Sequence, residues 1–205
     1  MKNKIIKDAL ALTLITLVAG VALGGVYEIT KDPIARQEAQ AKAEAYEQVF
    51  TDAAAFEEVE MDDTLIQTIR DRLDQEGYKA QSIEEVMRAE DQSGETLGYA
   101  FAVVTSEGYG GDIRFSMGVQ NDGTLNGISI LSIGETAGLG MNADTPAFKD
   151  QFVGKQVEKL QYTKNGATQD DEINAISGAT VTTNAMTNGV NAGLCAFRVM
   201  EGGDQ

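Results

Sequence analysis

Eighteen consecutive residues near the start of the chain, Ala9–Val26 (ALALTLITLVAGVALGGV), carry no charge. With Tyr27 added, the run reaches the roughly 17–25 residues that a helix needs to cross a bilayer. A helix apolar on every side has no face to offer to water. Lys2, Lys4 and Lys7 precede the run. Positive charge at that end holds the N-terminus on the cytoplasmic side and sends the remainder across the membrane. A cleaved signal peptide competes with this reading, but its apolar core is shorter, roughly 7–15 residues. No Leu-x-x-Cys lipoprotein site accompanies the run either. The sequence therefore predicts an uncleaved single-pass anchor over residues 1–28. Gly20 and Gly24 stand at the spacing that lets two membrane helices pack closely. Small residues are also common in anchors without a specific partner.

Behind the anchor the chain is strongly acidic. From Glu28 onward there are 13 basic and 31 acidic side chains, a net charge near −18, against −16 for all 205 residues. That argues against nucleic-acid binding, because nothing would neutralise backbone phosphates. It suits a well-hydrated body, or a field that concentrates cations near a membrane partner. Histidine is absent and Cys195 is the single cysteine. A Ser-His-Asp triad, a His-ligated haem, a His-containing zinc site and an intrachain disulfide are all excluded. Redox chemistry on this chain requires an organic cofactor or a partner's metal.

Asp32-Pro33 reads as a helix start, a capping residue followed by proline at the first helical position. The Ala-, Glu- and Gln-rich segment behind it predicts a stalk helix to about Phe50, and residues 29–59 form a stalk and linker. Leu65, Ile69 and Leu73 predict a helix over Thr64–Glu76. Strands are expected over Leu97–Thr105, Ile113–Val119 and Leu125–Ile133, the last two joined through Asp122-Gly123, a hairpin signal. A short helix over Ala147–Phe152 and a strand within Gln156–Thr163 come next. A final helix covers Thr182–Met200, with Met186, Val190, Leu194 and Phe197 on a buried face. Residues 60–205 thus read as an α+β domain with an antiparallel sheet. Met141, Met186 and Met200 read as packing residues, and Cys195 as a small buried hydrophobe.

Three glycine-rich stretches interrupt the strand region: Gly108-Tyr109-Gly110-Gly111, Glu135-Thr136-Ala137-Gly138-Leu139-Gly140, and Ser177-Gly178-Ala179-Thr180 ahead of the last helix. Glycine usually just solves a turn. Three such loops, one of them at a helix N-terminus, fit a pocket for a flat phosphorylated ligand. They are not a P-loop, because no Gly-Lys-Ser/Thr follows, and they lack the Rossmann fingerprint. On the residues alone, Thr180 reads first as an ordinary helix N-cap, a role Thr fills often, and only second as a functional hydroxyl.

Anchor, stalk, the GYGG loop, the ETAGLG loop and SGATVTT together resemble the FMN-binding domain family, in the branch of the Rnf G subunits (RnfG). The C subunits of sodium-pumping quinone reductases (NqrC) are a more distant likeness. The resemblance implies that Thr180 carries FMN through a phosphoester bond, made by a flavin transferase that takes FMN from FAD. Ser177, Gly178, Ala179, Val181, Thr182 and Thr183 would surround the phosphate. Glu135, Thr136, Gly138, Leu139 and Gly140 would form the loop beside the isoalloxazine ring, with Thr136 and Leu139 against it and Tyr109 lining the same pocket. Two positions depart from the family pattern. Asn174 stands where the attachment motif usually begins with Asp, with Asp171 and Glu172 nearby, and Ala137 replaces the usual Pro.

The function so implied is that of an electron-transfer subunit without independent catalysis and without a metal site. It would sit among the membrane and peripheral subunits of a bacterial or archaeal complex that couples ferredoxin–NAD electron transfer to sodium or proton translocation. Its C-terminal domain would be extracytoplasmic. The alternatives are a quinone-reductase subunit of the NqrC type, a tethered ligand-binding module without redox function, and a purely structural assembly subunit.

Overall fold

The computed structural model describes residues 2–202 and divides into two compact units, Met1–Ala41 and Lys42–Gln205. The first unit is helical. Helix α1 spans Lys2–Val49, long and apolar enough to cross a membrane, and its most apolar stretch has no residue buried within the protein. Leu10, Leu14, Leu17 and Val21 all point outward, an arrangement that hydrocarbon accommodates and water does not. The hydroxyls in the run turn inward: Thr13 donates to the Ala9 carbonyl at 2.9 Å and Thr16 to that of Thr13 at 3.0 Å. Polar groups are thus satisfied inside the helix, as a membrane span requires.

The expected helix start at Asp32-Pro33 is not there: Pro33 lies within α1. Proline removes one N–H and costs ~3 kcal/mol in a helix interior. The carbonyl four residues back belongs to Ile29, which is exposed, so water can take the lost bond. Good helix formers on both sides carry the helix through.

The second unit is built on a sheet. Its strands are β1 (Ala55–Glu58), β2 (Gln81–Glu90), β3 (Thr96–Thr105), β4 (Ile113–Gln120) and β5 (Leu125–Ser132). They pair antiparallel in sequence order. Helix α2 (Asp63–Glu76) interrupts β1 and β2. After β5 come a 3-10 turn at Gly140–Asp144, α3 (Pro146–Lys149), a second 3-10 turn at Asp150–Phe152, β6 (Gln161–Thr163), β7 (Glu172–Asn174) and α4 (Thr180–Met200). β6 and β7 form a separate parallel pair. The strand expected within Gln156–Thr163 therefore survives only as its last three residues.

Both faces of the sheet are covered, and strand periodicity decides what covers each. Phe101, Val103, Phe115, Met117 and Val119 alternate onto one face and form the main core with Ile69 and Leu73 of α2 and Met186, Val190, Leu194 and Phe197 of α4. The alternate residues are small. Ala89 and Ala100 pack with Tyr46, Val49 and Phe50, the last turn of α1 and the residue after it. Ser116 donates to the Ala45 carbonyl at 3.1 Å and Ser129 to Gln48 Oε1 at 2.8 Å. On the other side α4 lies close to β4 because Gly189 and Gly193 face it. A Cβ at Gly189 would meet the Phe115 ring at 2.8 Å, and one at Gly193 would collide with the Met117 sulfur. The helix adds no side chain of its own at that contact, and the close seat carries α4 to the site at its N-terminus.

Candidate functional site

The three glycine-rich loops converge on one cleft of about 420 Å³, lined by Tyr109, Glu135, Thr136, Leu139, Gly140, Gly178, Ala179, Thr180, Val181 and Thr182. Glu135 holds the loops together. It is buried, and its Oε1 accepts from the Tyr109 N–H at 2.7 Å and the Gly110 N–H at 3.3 Å. A Cβ at Gly140 would lie 2.5 Å from Glu135 Oε2 and 2.6 Å from Thr182 Oγ1. Gly140 is therefore required for Glu135 and the start of α4 to approach each other. The Thr136 carbonyl accepts from the N–H groups of Leu139 and Met141 at 3.1 and 3.2 Å, which folds ETAGLG back and leaves Leu139 on the rim.

That rim is apolar and wet. Outside α1, the exposed large hydrophobic side chains among the described residues are Ile66, Tyr109, Leu139, Val153 and Val181; Tyr109 is 77% exposed, Leu139 43% and Val181 50%. Three of the five ring this cleft. Isolated exposed hydrophobes need no explanation, but a cluster around a concavity marks a binding site.

The far wall is the start of α4. Its N-cap is Ala179, no side chain caps it, and no acidic residue lies in its first turn. The leading N–H groups of a helix have no intrahelical partner and carry the positive end of its dipole. Thr180 is the first helical residue, so the N-cap role left open by the sequence falls to Ala179 instead. Thr180 is half-buried on the cleft, and its hydroxyl makes no hydrogen bond among the described residues. Gly178 adopts φ +75°, the left-handed region, and a Cβ there would press against Leu139 Cδ2 at 3.0 Å. Only glycine keeps that turn and that opening together.

Thr183 departs from its expected place. It is buried, its Oγ1 accepts from the Ile176 N–H at 3.0 Å and donates to the Ala179 carbonyl at 2.9 Å. The hydroxyl is thus spent on closing the loop and is not offered to the cleft. Ser177 and Gly138 are exposed and lie outside the lining. Asn174 ends β7, and its Oδ1 accepts from the Ala167 N–H at 2.7 Å. An Asp there would accept the same bond, so the replacement removes charge while keeping the contact. Glu172 and Asp171 cannot stand in freely. Glu172 accepts from the Thr168 and Gln169 N–H groups at 2.8 and 3.2 Å, and Asp171 from Gln161 Nε2 at 3.0 Å.

Sequence reasoning missed Glu107. Its Oε2 accepts from Gln81 Nε2 at 3.0 Å, Asn188 Nδ2 at 2.7 Å and Asn184 Nδ2 at 3.4 Å. One signal existed. Asn184 and Asn188 are two amides four apart on a helix that is otherwise mostly buried, and such amides need a partner. A larger concavity of about 580 Å³ lies along α2, between Ile66, Leu73 and Ile83. It contains none of the loop residues, and its rim carries Arg70, Asp74, Lys79 and Asp112, so it reads as a hydrated groove. Among the described residues no group of three or more acidic or cysteine side chains is placed to hold a metal.

The cleft combines an apolar rim, unengaged hydroxyls and an uncapped helix start. These fit the ring, the ribityl chain and the phosphate of a flavin mononucleotide respectively. Residues 108–194 match the FMN-binding domain family, and residues 1–49 match the RnfG N-terminal region. The fold and site thus define an FMN-binding domain carried behind a long N-terminal helix. The chain is 32% identical over 196 residues, 95% of its length and 92% of the relative's, to the G subunit of the Na⁺-translocating ferredoxin:NAD⁺ oxidoreductase complex of Acetobacterium woodii. It is 28% identical, over 98% of its length and 96% of the relative's, to the G subunit of the proton-translocating complex of Clostridium ljungdahlii. Among solved structures, the C subunit of the Na⁺-translocating NADH-quinone reductase of Parabacteroides distasonis is similar over 59% of this chain and 63% of its own, at 25% identity and a TM-score of 0.48. The chain belongs to the RnfG family, the G subunits of ion-translocating ferredoxin–NAD oxidoreductase complexes.

Proposed function

We propose that this chain is the electron-carrying G subunit of an Rnf-type complex and that it holds one FMN covalently on Thr180. The observation that carries the reading is the pairing of an uncapped helix start with an unengaged Thr180 hydroxyl on an apolar-rimmed cleft. In the attachment step Thr180 Oγ forms a bond to the flavin-side phosphorus of FAD, the pyrophosphate P–O bond breaks, AMP leaves and the hydroxyl proton is lost to solvent. A flavin transferase brings the donor. The open N–H groups of Thr180, Val181 and Thr182 stabilise the phosphate charge. Tyr109, Leu139 and Val181 shelter the ring, and Glu135 fixes the GYGG loop against ETAGLG. FMN, when bound, supplies a carrier that takes up and releases electrons singly, as transfer between iron–sulfur centres and other flavins requires. No residue of the cleft is needed for bond-making on a substrate.

The long apolar α1 anchors the chain, and the lysines before it orient the domain away from the cytoplasm. A flavin lost on that side is not replaced from the cytoplasmic pool, which gives covalent attachment its purpose. Coupling to sodium or proton movement belongs to other subunits.

The test is the intact mass of the chain purified from its native host, followed by peptide mapping. Added mass equal to FMN minus water on the Thr180 peptide is the expected result. An unmodified peptide from a protein without flavin absorbance would sink the reading and leave a tethered ligand-binding module.

A further inference from the structure

We infer that Glu107 is the positioning residue of the attachment site: it fixes how far Thr180 stands from Tyr109 across the cleft. This rests on the proposed role of Thr180.

Thr180, Asn184 and Asn188 are spaced four apart on α4 and share one face of the helix. Glu107 Oε2 takes the amides of the second and third, at 3.4 and 2.7 Å. Its neighbours Gly108 and Tyr109 begin the loop that forms the opposite wall. One carboxylate therefore ties both walls of the cleft together. It is anchored from beneath as well. Gln81 Nε2 donates to Glu107 Oε2 and to Thr105 Oγ1, both at 3.0 Å, and Thr105 Oγ1 also accepts from the Glu107 N–H at 3.4 Å. Gln81 and Thr105 are buried and paired across β2 and β3, so the clamp is mounted on the sheet.

The rest of α4 is held further along. Met186, Val190, Leu194 and Phe197 pack into the core, and Asn191 bonds the Leu160 backbone through both its oxygen and its nitrogen. Ahead of that segment, the amides of Asn184 and Asn188, held by Glu107, tie the helix to the GYGG loop one and two turns after Thr180. All three donors are neutral amides, so the carboxylate acts by geometry and acceptor strength.

Glu107→Ala, Glu107→Gln and Asn188→Ala in the full chain test this, each also made in a Thr180→Ala background that carries no flavin ester. In the native host, Glu107→Ala and Asn188→Ala are expected to lower the fraction of chains with FMN on Thr180 at least tenfold by intact mass. In the Thr180→Ala background, hydrogen exchange at the first hydrogen-bonded amides of α4, from Thr183 to Thr187, should rise at least tenfold while exchange in β3 and β4 is unchanged. Glu107→Gln should restore both, because its side-chain oxygen can accept the same amides. Full flavin occupancy with wild-type exchange in Glu107→Ala overturns the proposal. So does exchange raised equally across the sheet, which would make Glu107 a general stabiliser. If the wild-type chain carries no FMN on Thr180, the attachment reading fails, and the exchange pattern still decides whether Glu107 sets the start of α4.

Discussion

Helices α2 and α4 begin in opposite ways. α2 starts at Asp62, whose Oδ1 accepts from the Leu65 N–H at 2.7 Å, has Asp63 in its first turn, and ends on Gly77 in the left-handed conformation. A side-chain cap, an acid in the first turn and a left-handed glycine at the end are all present. α4 starts at Ala179 with no side-chain cap and no acid, although Ser177, Thr180, Thr182 and Thr183 all lie within a few residues and could cap it. The Thr183 hydroxyl is turned inward on the loop. An unsatisfied helix start beside a cleft is a local defect in stability, and such defects gather where a site needs them. α2 shows what this chain does at a helix start built only for folding. α4 shows one left open beside the cleft.

Thr180→Ala separates the two starts most sharply. It should abolish covalent flavin entirely, by intact mass and by in-gel fluorescence. It should change the unfolding free energy of the unmodified protein by less than about 0.5 kcal/mol, because the hydroxyl holds nothing in the protein. Thr180→Ser, which keeps a hydroxyl, should retain measurable flavin. Asp62→Ala is the mirror experiment. Losing the cap of α2 should cost about 0.5–2 kcal/mol in denaturant unfolding and leave flavin occupancy at the wild-type level. If Asp62→Ala lowers occupancy as much as stability, the division between a structural and a functional helix start does not hold.

A third comparison sets loaded against unmodified wild-type protein. A phosphate at the start of α4 should add about 0.3–1 kcal/mol through the helix dipole, and that increment should shrink in high salt as the charge is screened. An increment insensitive to salt would place the stabilisation in ring packing against Tyr109, Leu139 and Val181.

Much of this contrast was legible in the sequence, for identifiable reasons. β3 and β4 alternate large with small or polar residues, and Asp122-Gly123 closes the hairpin as read, with the Gly123 N–H donating to the Gln120 carbonyl at 2.9 Å. β2 was invisible. Its buried positions Val86 and Ala89 are three apart, and a register shift between Ile83 and Glu85 breaks the two-residue period. β1 and β7, four and three residues long, are too short to show a pattern. Pro33 misled because a capping residue before proline looks the same whether a helix starts there or passes through. At the site, the glycine loops announced themselves by composition. Glu107 did not, because an acid in a loop reads as solvated until Asn184, Asn188 and Gln81 are seen to converge on it. Thr183 looked equivalent to its neighbours in sequence, and only the tight turn at Ser177-Gly178 points it inward.

The smallest expected effect lies at the opposite ends of the same two helices. Glu76, the last residue of α2, meets Arg198 of α4 through both carboxylate oxygens at 3.1 Å, and Arg72 at 3.1 Å. Burial alone would raise the Glu76 carboxyl, but hydrogen bonding and charge from Arg198, then Arg72, hold it below its ordinary value of 4.5. A carboxyl depressed in the folded protein contributes stability above its unfolded pKa, and that contribution is lost as pH falls through the folded value. Stability should therefore decline below about pH 4.5, the ordinary value of the Glu76 carboxyl. Asp91, Asp122 and Glu172 are lowered in the same direction, chiefly by the Ser93 hydroxyl, the Thr124 N–H and the Thr168 N–H respectively, so the wild-type curve alone does not isolate the pair. The difference between wild type and Arg198→Ala does. It should be on the order of 0.2–1 kcal/mol at about pH 7, the scale of a partly exposed ion pair, and vanish as pH falls through the lowered Glu76 value and the carboxyl is protonated, with flavin occupancy unchanged at every pH where the protein is folded. A difference that persists in acid would assign the effect to the Arg198 contact with the Glu158 carbonyl at 2.8 Å, a bond that acid does not touch.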